Sequence, residues 1–548
     1  MAKLNSHGLW WWEATMNSKK DEFTLAILVT IAVVTLALLW YKFTHSSTSP
    51  PLPPGPRSLP IVGYLPFLGP ELHKQFTRMA HTYGPIFKLH LGSKLHVVIN
   101  SSELAKEVVR DHDEIFANRN LTVAASVLSY GGQDLVWSMN NSNWRMLRKI
   151  FVHEALSNKN LESCSSFRMD EVRKTIKNVF SKIGTPIVIS EITFMTQTNV
   201  LTSLICGNTS NSSHLASELQ TVSENLAEIF RRPNLSDFFP ILAWFDLQRI
   251  ERNMKKLFHK TDQIAESMIQ DGIKSNSKKS LDGVGDREKK KDFLQILLDL
   301  RSQEDGNSLS ITQIKALILV NVILQTLDDT SSTNDICSDI MVAGTETTST
   351  LIEWVMAEIM MNHQVMNAIQ EELAKVVGLN NIVEETHLSQ LKYLDAVVKE
   401  TLRLHPVVPF LIPRSPSQDC KVGGYTIPKG CTVFLNVWSI QRDPRYWDKP
   451  LEFYPKRFLS CESSKKYDYK GNNLKFFPFG SGRRLCAGLP LAEKMTLFIL
   501  ASLLHSFNWS LPKGEEHDLS EKFGITLTKV KPLTAIPSQR LPNASLYN

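Results

Sequence analysis

Apolar and polar positions divide this chain into three regimes. The first is a block without charge: residues 23–41 read FTLAILVTIAVVTLALLWY. As a helix, this stretch is about 28 Å long at ~1.5 Å per residue, close to the hydrocarbon thickness of a bilayer. Trp40 and Tyr41 close it and Trp10 to Trp12 lie upstream, where amphipathic rings favour a membrane interface. The pattern predicts one uncleaved transmembrane helix. A cleaved signal peptide is the competing reading, but no small-residue cleavage site precedes the polar Lys42-Phe-Thr-His45. Lysines stand on both sides of the span, so charge alone leaves its orientation open.

The second regime is one of short strands. Two short apolar-rich runs over 86–91 and 94–99, joined at Gly92-Ser93, predict a hairpin. A strand-like stretch is expected over 422–437. The third regime is helical. Ser101 and Ser102 are placed to cap a helix over 103–110. From about 160 to 300 the spacing is mostly helical, with a stop at Arg232-Pro-Asn234, and 278–291 is polar enough to be an exposed loop. Helices dominate to about residue 405, and a last helix after residue 486 is expected to close the chain. The expected fold class is mainly α with small β-sheets. The expected organisation is an N-terminal lead (1–22), an anchor (23–41), a hinge (42–56) and one large domain (57–548). The hinge ends in Pro50-Pro-Leu-Pro-Pro-Gly-Pro56, a stiff, extended run that cannot continue a helix.

Composition narrows the function. The 548 residues are 43% hydrophobic and 21% charged, as a globular chain with a large core requires. A formal charge of +6 is mild for this size; it gives no reason to expect nucleic acid and suits work beside an anionic membrane or an acidic partner. The seven cysteines are an odd number without any Cys-x-x-Cys pair. That pattern predicts free thiols facing a reducing compartment, neither a disulfide framework nor a zinc site.

The chemistry concentrates at Phe479-Gly-Ser-Gly-Arg-Arg-Leu-Cys-Ala-Gly488. A thiolate at the end of a glycine-rich bend can point its sulfur along the normal of a flat macrocycle, while the glycines let backbone N–H groups approach that sulfur. Thiolate ligation pushes electron density onto a haem iron and favours O–O cleavage. In order, Phe479, Gly480, Gly482, Arg484, Cys486 and Gly488 resemble the haem-ligand signature of the cytochrome P450 superfamily. The resemblance runs from about residue 50 to the end.

It implies a P450 fold, haem b as cofactor and Cys486 as axial ligand to its iron. It also implies O₂ as co-substrate and electrons from NADPH through a separate flavoprotein reductase. Trp144 and Arg148, at i and i+4 on one helix face, match the pair that holds a haem propionate; Arg484 and Arg414 match further propionate contacts. Glu400 and Arg403 form an E-x-x-R pair which, with Arg457, matches the family's buried ion network. Ala343-Gly-Thr-Glu-Thr-Thr348 resembles the oxygen-activating segment: Gly344 leaves room for O₂, Thr347 offers a hydroxyl, and Glu346 relays protons. The resemblance also implies single-pass residence in the endoplasmic reticulum membrane with the catalytic domain facing the cytosol.

Within the superfamily the chain resembles the plant microsomal clan. Gly131-Gly-Gln-Asp-Leu135, Phe151-Val-His-Glu154 and Phe245-Asp-Leu-Gln-Arg-Ile-Glu251 resemble its terpenoid hydroxylases, of sesquiterpene and geraniol type. The apolar stretches 127–130 and 407–412 suit a small apolar substrate, a mono- or sesquiterpenoid, with a phenylpropanoid or flavonoid as the alternative. A peroxide-rearranging isomerase is disfavoured by Thr347 beside Glu346.

One segment departs from the family pattern. Residues 320–338 separate two halves of what should be one helix, and they include Asp328-Asp-Thr-Ser-Ser-Thr-Asn-Asp335, a run of poor helix formers. A translated intron and a genuine insertion are both open. A genuine insertion puts oxygen activation in doubt and leaves a haem-binding, catalytically impaired variant as an alternative.

Overall fold

The computed structural model describes residues 26–35, 51–206, 234–256, 293–302, 309–315, 342–460 and 466–547, with Thr24 and a few positions between 257 and 273. The segments 278–291 and 320–338 lie outside the described residues, so neither the expected loop nor the insertion has a structural account. The same holds for most of 1–50. Within the apolar block, residues 26–35 are helical with exposed side chains such as Leu28 and Ile31. No described helix is long and apolar enough to cross a membrane.

The hairpin forms where the Gly92-Ser93 turn places it. Strands β1 (Ile86–Leu91) and β2 (Lys94–Ile99) pair antiparallel across Gly92, whose φ of 58° is the left-handed turn that glycine permits. The proline run is not loose beside them. Lys88 donates its N–H to the Pro54 carbonyl at 2.8 Å and Thr426 donates to Pro51 at 3.0 Å, so residues 51–56 are bonded to the sheet region. The helix expected over 103–110 starts as read, with Ser101 accepting from the Leu104 N–H. It is α-helical only over Ser102–Lys106 and widens into a π-turn, Glu107–Asp111.

Helices carry the core. We number α1 Leu72–Tyr83, α2 Ser142–Ile150, α3 Ser165–Ser181, α4 Ile189–Cys206, α5 Phe293–Ser302, α6 Thr347–Met361, α7 His363–Val376, α8 Lys392–Leu404 and α9 Leu489–Ser506. Helices α6 and α9 are buried on every side over most of their length, as all-round apolar sequences require. They pack on each other and share one core with α3, α7 and α8.

The stretch 422–437 is not one strand. It forms pieces of β4 (Cys420–Val422), β5 (Tyr425–Ile427) and β6 (Thr432–Leu435), broken by Gly423-Gly424 and Pro428-Lys-Gly430; β6 joins β2 in parallel. Nor does the chain close with α9. It continues as β7 (Phe507–Ser510), β8 (Glu521–Lys522), β9 (Thr528–Lys529) and β10 (Thr534–Gln539). β10 runs between β7 and β3 (Ile187–Val188). β8 and β9, at two residues each, carry too few positions for a periodicity to register, and Pro537 interrupts β10, which is why this tail escapes a pattern reading.

Candidate active site

Cys486 stands just before α9 on the loop that the glycines shape. Its N–H donates to the Phe479 carbonyl at 3.0 Å, closing the bend, and Gly480 and Gly482 hold φ of 77° and 68°. A Cβ on Gly482 would lie 2.5 Å from the Val109 carbonyl oxygen and 2.6 Å from Asp113 Oδ1, so no larger residue fits. Gly488 is different: a Cβ there would sit 3.9 Å from Cys486 Sγ, an ordinary contact. Phe479 packs edge-on against Tyr469, with ring centroids 5.8 Å apart. Cys486 is a free, half-buried thiol. Burial pushes its pKa up, against which the Gly488 N–H, the Arg148 guanidinium and the Leu489 N–H favour the thiolate.

Around this loop the structure gathers Trp144, Arg148, Arg414 and Arg484, as expected, and adds Arg119. Helix α2 is capped by Asn141, whose side chain accepts the Trp144 N–H; this sets the indole inward and Arg148 one turn on. The indole N–H itself is spent on the Leu135 carbonyl at 3.0 Å. Arg484 lies over the indole face, 4.0 Å from its centroid, and Arg148 at 5.6 Å. Arg148 donates to the Leu485 carbonyl, Arg414 to Ser481, Arg484 to Ala117, Leu135 and Ser138, and Arg119 to Val136, Ile412 and Pro413.

Carbonyls satisfy these donors but bring no opposing charge. The carboxylates beside the four guanidiniums are Asp113, 3.1 Å from Arg414, and Asp134. Burial first, then repulsion from neighbouring arginines, pushes Arg484 down to about 9 and Arg119 well below its usual value. Burial raises Asp134 to about 6, and its Oδ2 has no hydrogen-bond partner. A buried excess of positive charge beside a thiol with N–H donors fits a flat group that binds sulfur through a metal and carries two carboxylates at its edge; haem b is such a group.

The ion network is assembled. Glu400, fully buried, accepts two bonds from Arg403 at 2.8 and 2.9 Å, one from Arg457 at 3.0 Å and the Tyr454 N–H at 2.9 Å. Arg403 also donates to the Gln441 carbonyl, and the Gln441 side chain accepts the Phe477 N–H at 3.0 Å. α8 is thereby tied to the segment leading into the cysteine loop.

The segment holding Gly344, Glu346 and Thr347 takes a different form from a straight helix. Val342–Glu346 is a π-turn that runs into α6 at Thr347. Gly344 O accepts from Thr348 at 3.3 Å, and Glu346 Oε1 accepts the hydroxyl of Thr526 at 2.7 Å.

Residues outside the sequence reading therefore matter. Asp113 accepts both Arg414 and the Arg483 N–H. Gly471, with φ of 66°, lets Ser481 and Arg110 reach its carbonyl. Arg119, Gln441 and Thr526 complete the set. Gly471 alone left a trace, a glycine in the polar Lys470-Gly-Asn-Asn473; the others are single residues whose partners are remote in sequence.

A thiol loop and an arginine seat within a mainly helical core define the haem-thiolate oxygenases as a class. Comparison with known proteins leads to the same place. The cytochrome P450 family profile matches residues 53–535. A flavonoid 3',5'-hydroxylase of Campanula medium is 35% identical over 94% of this chain and 97% of its own length. A geraniol 8-hydroxylase of Catharanthus roseus is 36% identical over 93% and 99%. A zebrafish cytochrome P450 solved with progesterone superposes with a TM-score of 0.69 at 25% identity, covering 86% of this chain and 100% of that one. The chain belongs to the cytochrome P450 family, whose members are monooxygenases that use haem b and receive electrons from a reductase partner.

Proposed function

We propose that this protein is a membrane-anchored haem-thiolate hydroxylase that inserts one oxygen atom from O₂ into a C–H bond of a small apolar plant metabolite, a mono- or sesquiterpenoid. The observation that carries the reading is the thiol of Cys486, faced by the N–H groups of Gly488 and Leu489 and by Arg148, beside three buried arginines, Arg119, Arg414 and Arg484. Cys486 is the residue that would ligate the iron. Arg148, Arg414 and Arg484 would hold the carboxylate edge, and Trp144 would back it with its ring. Phe479, Gly480, Gly482 and Gly488 shape the loop. When bound, the haem supplies O₂ binding and O–O cleavage assisted by the thiolate. Gly344 would leave space beside the π-turn, Thr347 would present its hydroxyl, and Glu346 would hold and pass the proton. Glu400, Arg403 and Arg457 brace the loop. NADPH supplies electrons through a separate flavoprotein reductase.

Residence at the endoplasmic reticulum membrane, with the domain on the cytosolic side, is part of the same reading. It is supported by the exposed apolar run at 26–35 and by a second patch at Ile241, Trp244, Phe245 and Leu247, where Trp244 is 94% exposed. The described cysteines Cys164, Cys420, Cys431 and Cys486 are free, as a cytosolic domain requires.

Relatives named for flavonoids and for geraniol match this chain almost equally well, so flavonoid hydroxylation stands as a second reading. Co-expression with a plant reductase, with and without residues 320–338, against mono- and sesquiterpenes and flavonoids decides between them. A hydroxylated terpenoid is the expected product; turnover of flavonoids alone reassigns the substrate, and a haem-loaded protein without any product leaves an impaired variant.

A further inference from the structure

The tail that follows α9 reaches back to the π-turn. β8 and β9 pair with Glu521 opposite Lys529, and their turn carries Thr526, which is fully buried and donates its hydroxyl to Glu346. The next residue is clamped on both sides. The Leu527 N–H donates to the Val407 carbonyl at 2.8 Å, and its carbonyl accepts the Trp354 indole N–H at 2.8 Å. Trp354 lies eight residues beyond Glu346, on the same face of the helix, and Glu358 lies four further on. The Trp354 indole stacks on the His405 ring, with centroids 4.0 Å apart and planes 3° from parallel. His405 Nε2 is 2.8 Å from Glu358 Oε1, and Nδ1 is 3.1 Å from Glu521 Oε1.

Glu521, at the base of the hairpin, also meets His73 at 3.1 Å, Arg442 at 3.2 Å and the Trp438 indole N–H at 3.2 Å. The base is thus fixed by a buried carboxylate and the tip by Leu527. The hydroxyl between them falls on one oxygen of the acid beside Thr347.

We propose that Thr526 is a positioning residue for oxygen activation: it fixes the rotamer of Glu346, and the Glu521 cluster keeps the hairpin in register to do so. This rests on the proposed proton-handling role of Glu346. An acid that must deliver protons to a fixed point gains from losing its rotational freedom beforehand.

The test uses the full chain, haem-loaded and reconstituted with its reductase, as Thr526→Val, Thr526→Ser, Glu346→Gln and the Val/Gln double variant. Two quantities are read: the fraction of NADPH electrons recovered in product rather than hydrogen peroxide, and amide hydrogen exchange of residues 521–529 in the resting protein. Thr526→Val is expected to lower the product fraction by about fivefold, the worth of one lost hydrogen bond, with an unchanged carbon monoxide spectrum and faster exchange in the hairpin tip. Thr526→Ser restores both, and the double variant is no worse than Glu346→Gln. If Thr526→Val keeps full coupling while Glu346→Gln loses it, the inference falls and the acid's role stands. If Glu346→Gln couples like the parent, the role of the acid falls and the inference with it. Equal losses in Thr526→Val and Thr526→Ser reduce Thr526 to packing and overturn the inference too.

Discussion

The cysteine loop and the turn at 342–347 share one core but are built in opposite ways. The bend of the loop is local: the Cys486 N–H closes it on the Phe479 carbonyl and its glycines sit where the backbone requires them, while only its arginines reach outward, Arg484 to carbonyls of Ala117, Leu135 and Ser138 and Arg483 to Asp113 and Glu114. The 342–347 turn owes its order to a segment about 180 residues away, through Thr526 and Trp354. A local device survives changes elsewhere; a device assembled from remote parts fails when either part shifts.

The sharpest way to break this comparison is Cys486→Ser. If the loop's chemistry is as local as its geometry, that substitution abolishes turnover and the red-shifted carbon monoxide band of thiolate-ligated haem, while far-ultraviolet circular dichroism stays native. An unchanged spectrum removes Cys486 as ligand. Next in size is Glu400→Ala, which strands the buried Arg403 guanidinium and the half-buried Arg457. A loss of about 3–5 kcal/mol in urea unfolding is expected, with haem released in the same transition because Gln441 links the network to Phe477. Haem retained through that transition separates the brace from the loop.

Gly482→Ala comes third. It forces a Cβ against the Val109 carbonyl at a positive φ, and about 2 kcal/mol of stability is expected to go, with reduced haem occupancy. The smallest effect belongs to the remote side. Burial alone would raise the Glu521 carboxyl, but donors from His405 and His73 and the charge of Arg442 outweigh it and hold the pKa far below the usual 4.5. A depressed carboxylate contributes stability above its unfolded pKa and loses it as pH falls towards the folded one. Glu521→Gln is therefore expected to cost about 1.5 kcal/mol at pH 7, and the gap from the parent narrows below pH 4.5. A gap that widens in acid contradicts the assignment of charge.

The same contrast explains what the sequence discloses. Cys486, its glycines and the Glu400–Arg403 pair are legible because each motif is compact: i and i+3 on a helix, or ten residues of one bend. The hairpin over 86–99 is legible because two apolar-rich runs flank the Gly92-Ser93 turn. Arg119, Asp113 and Thr526 leave no local signature; each is an ordinary polar residue until the fold brings a guanidinium, a backbone N–H or a carboxyl to it. The breaks within 420–435 and the strands after α9 were hidden for the same reason, since strands of two to six residues draw their stability from neighbours that no window of sequence contains.

With Pro54 bonded to Lys88 and Pro51 to Thr426, the start of the domain is riveted at two points to the β1 and β5 region. Traction applied upstream of residue 51 therefore loads two hydrogen bonds, one to the β1–β2–β6 sheet and one to the β4–β5 pair, and turns both together, where an unattached run would pivot like a ball joint. The tilt of the domain relative to whatever holds its N-terminal segment is then dictated by the rivets, and lengthening the chain before residue 51 changes reach but not tilt.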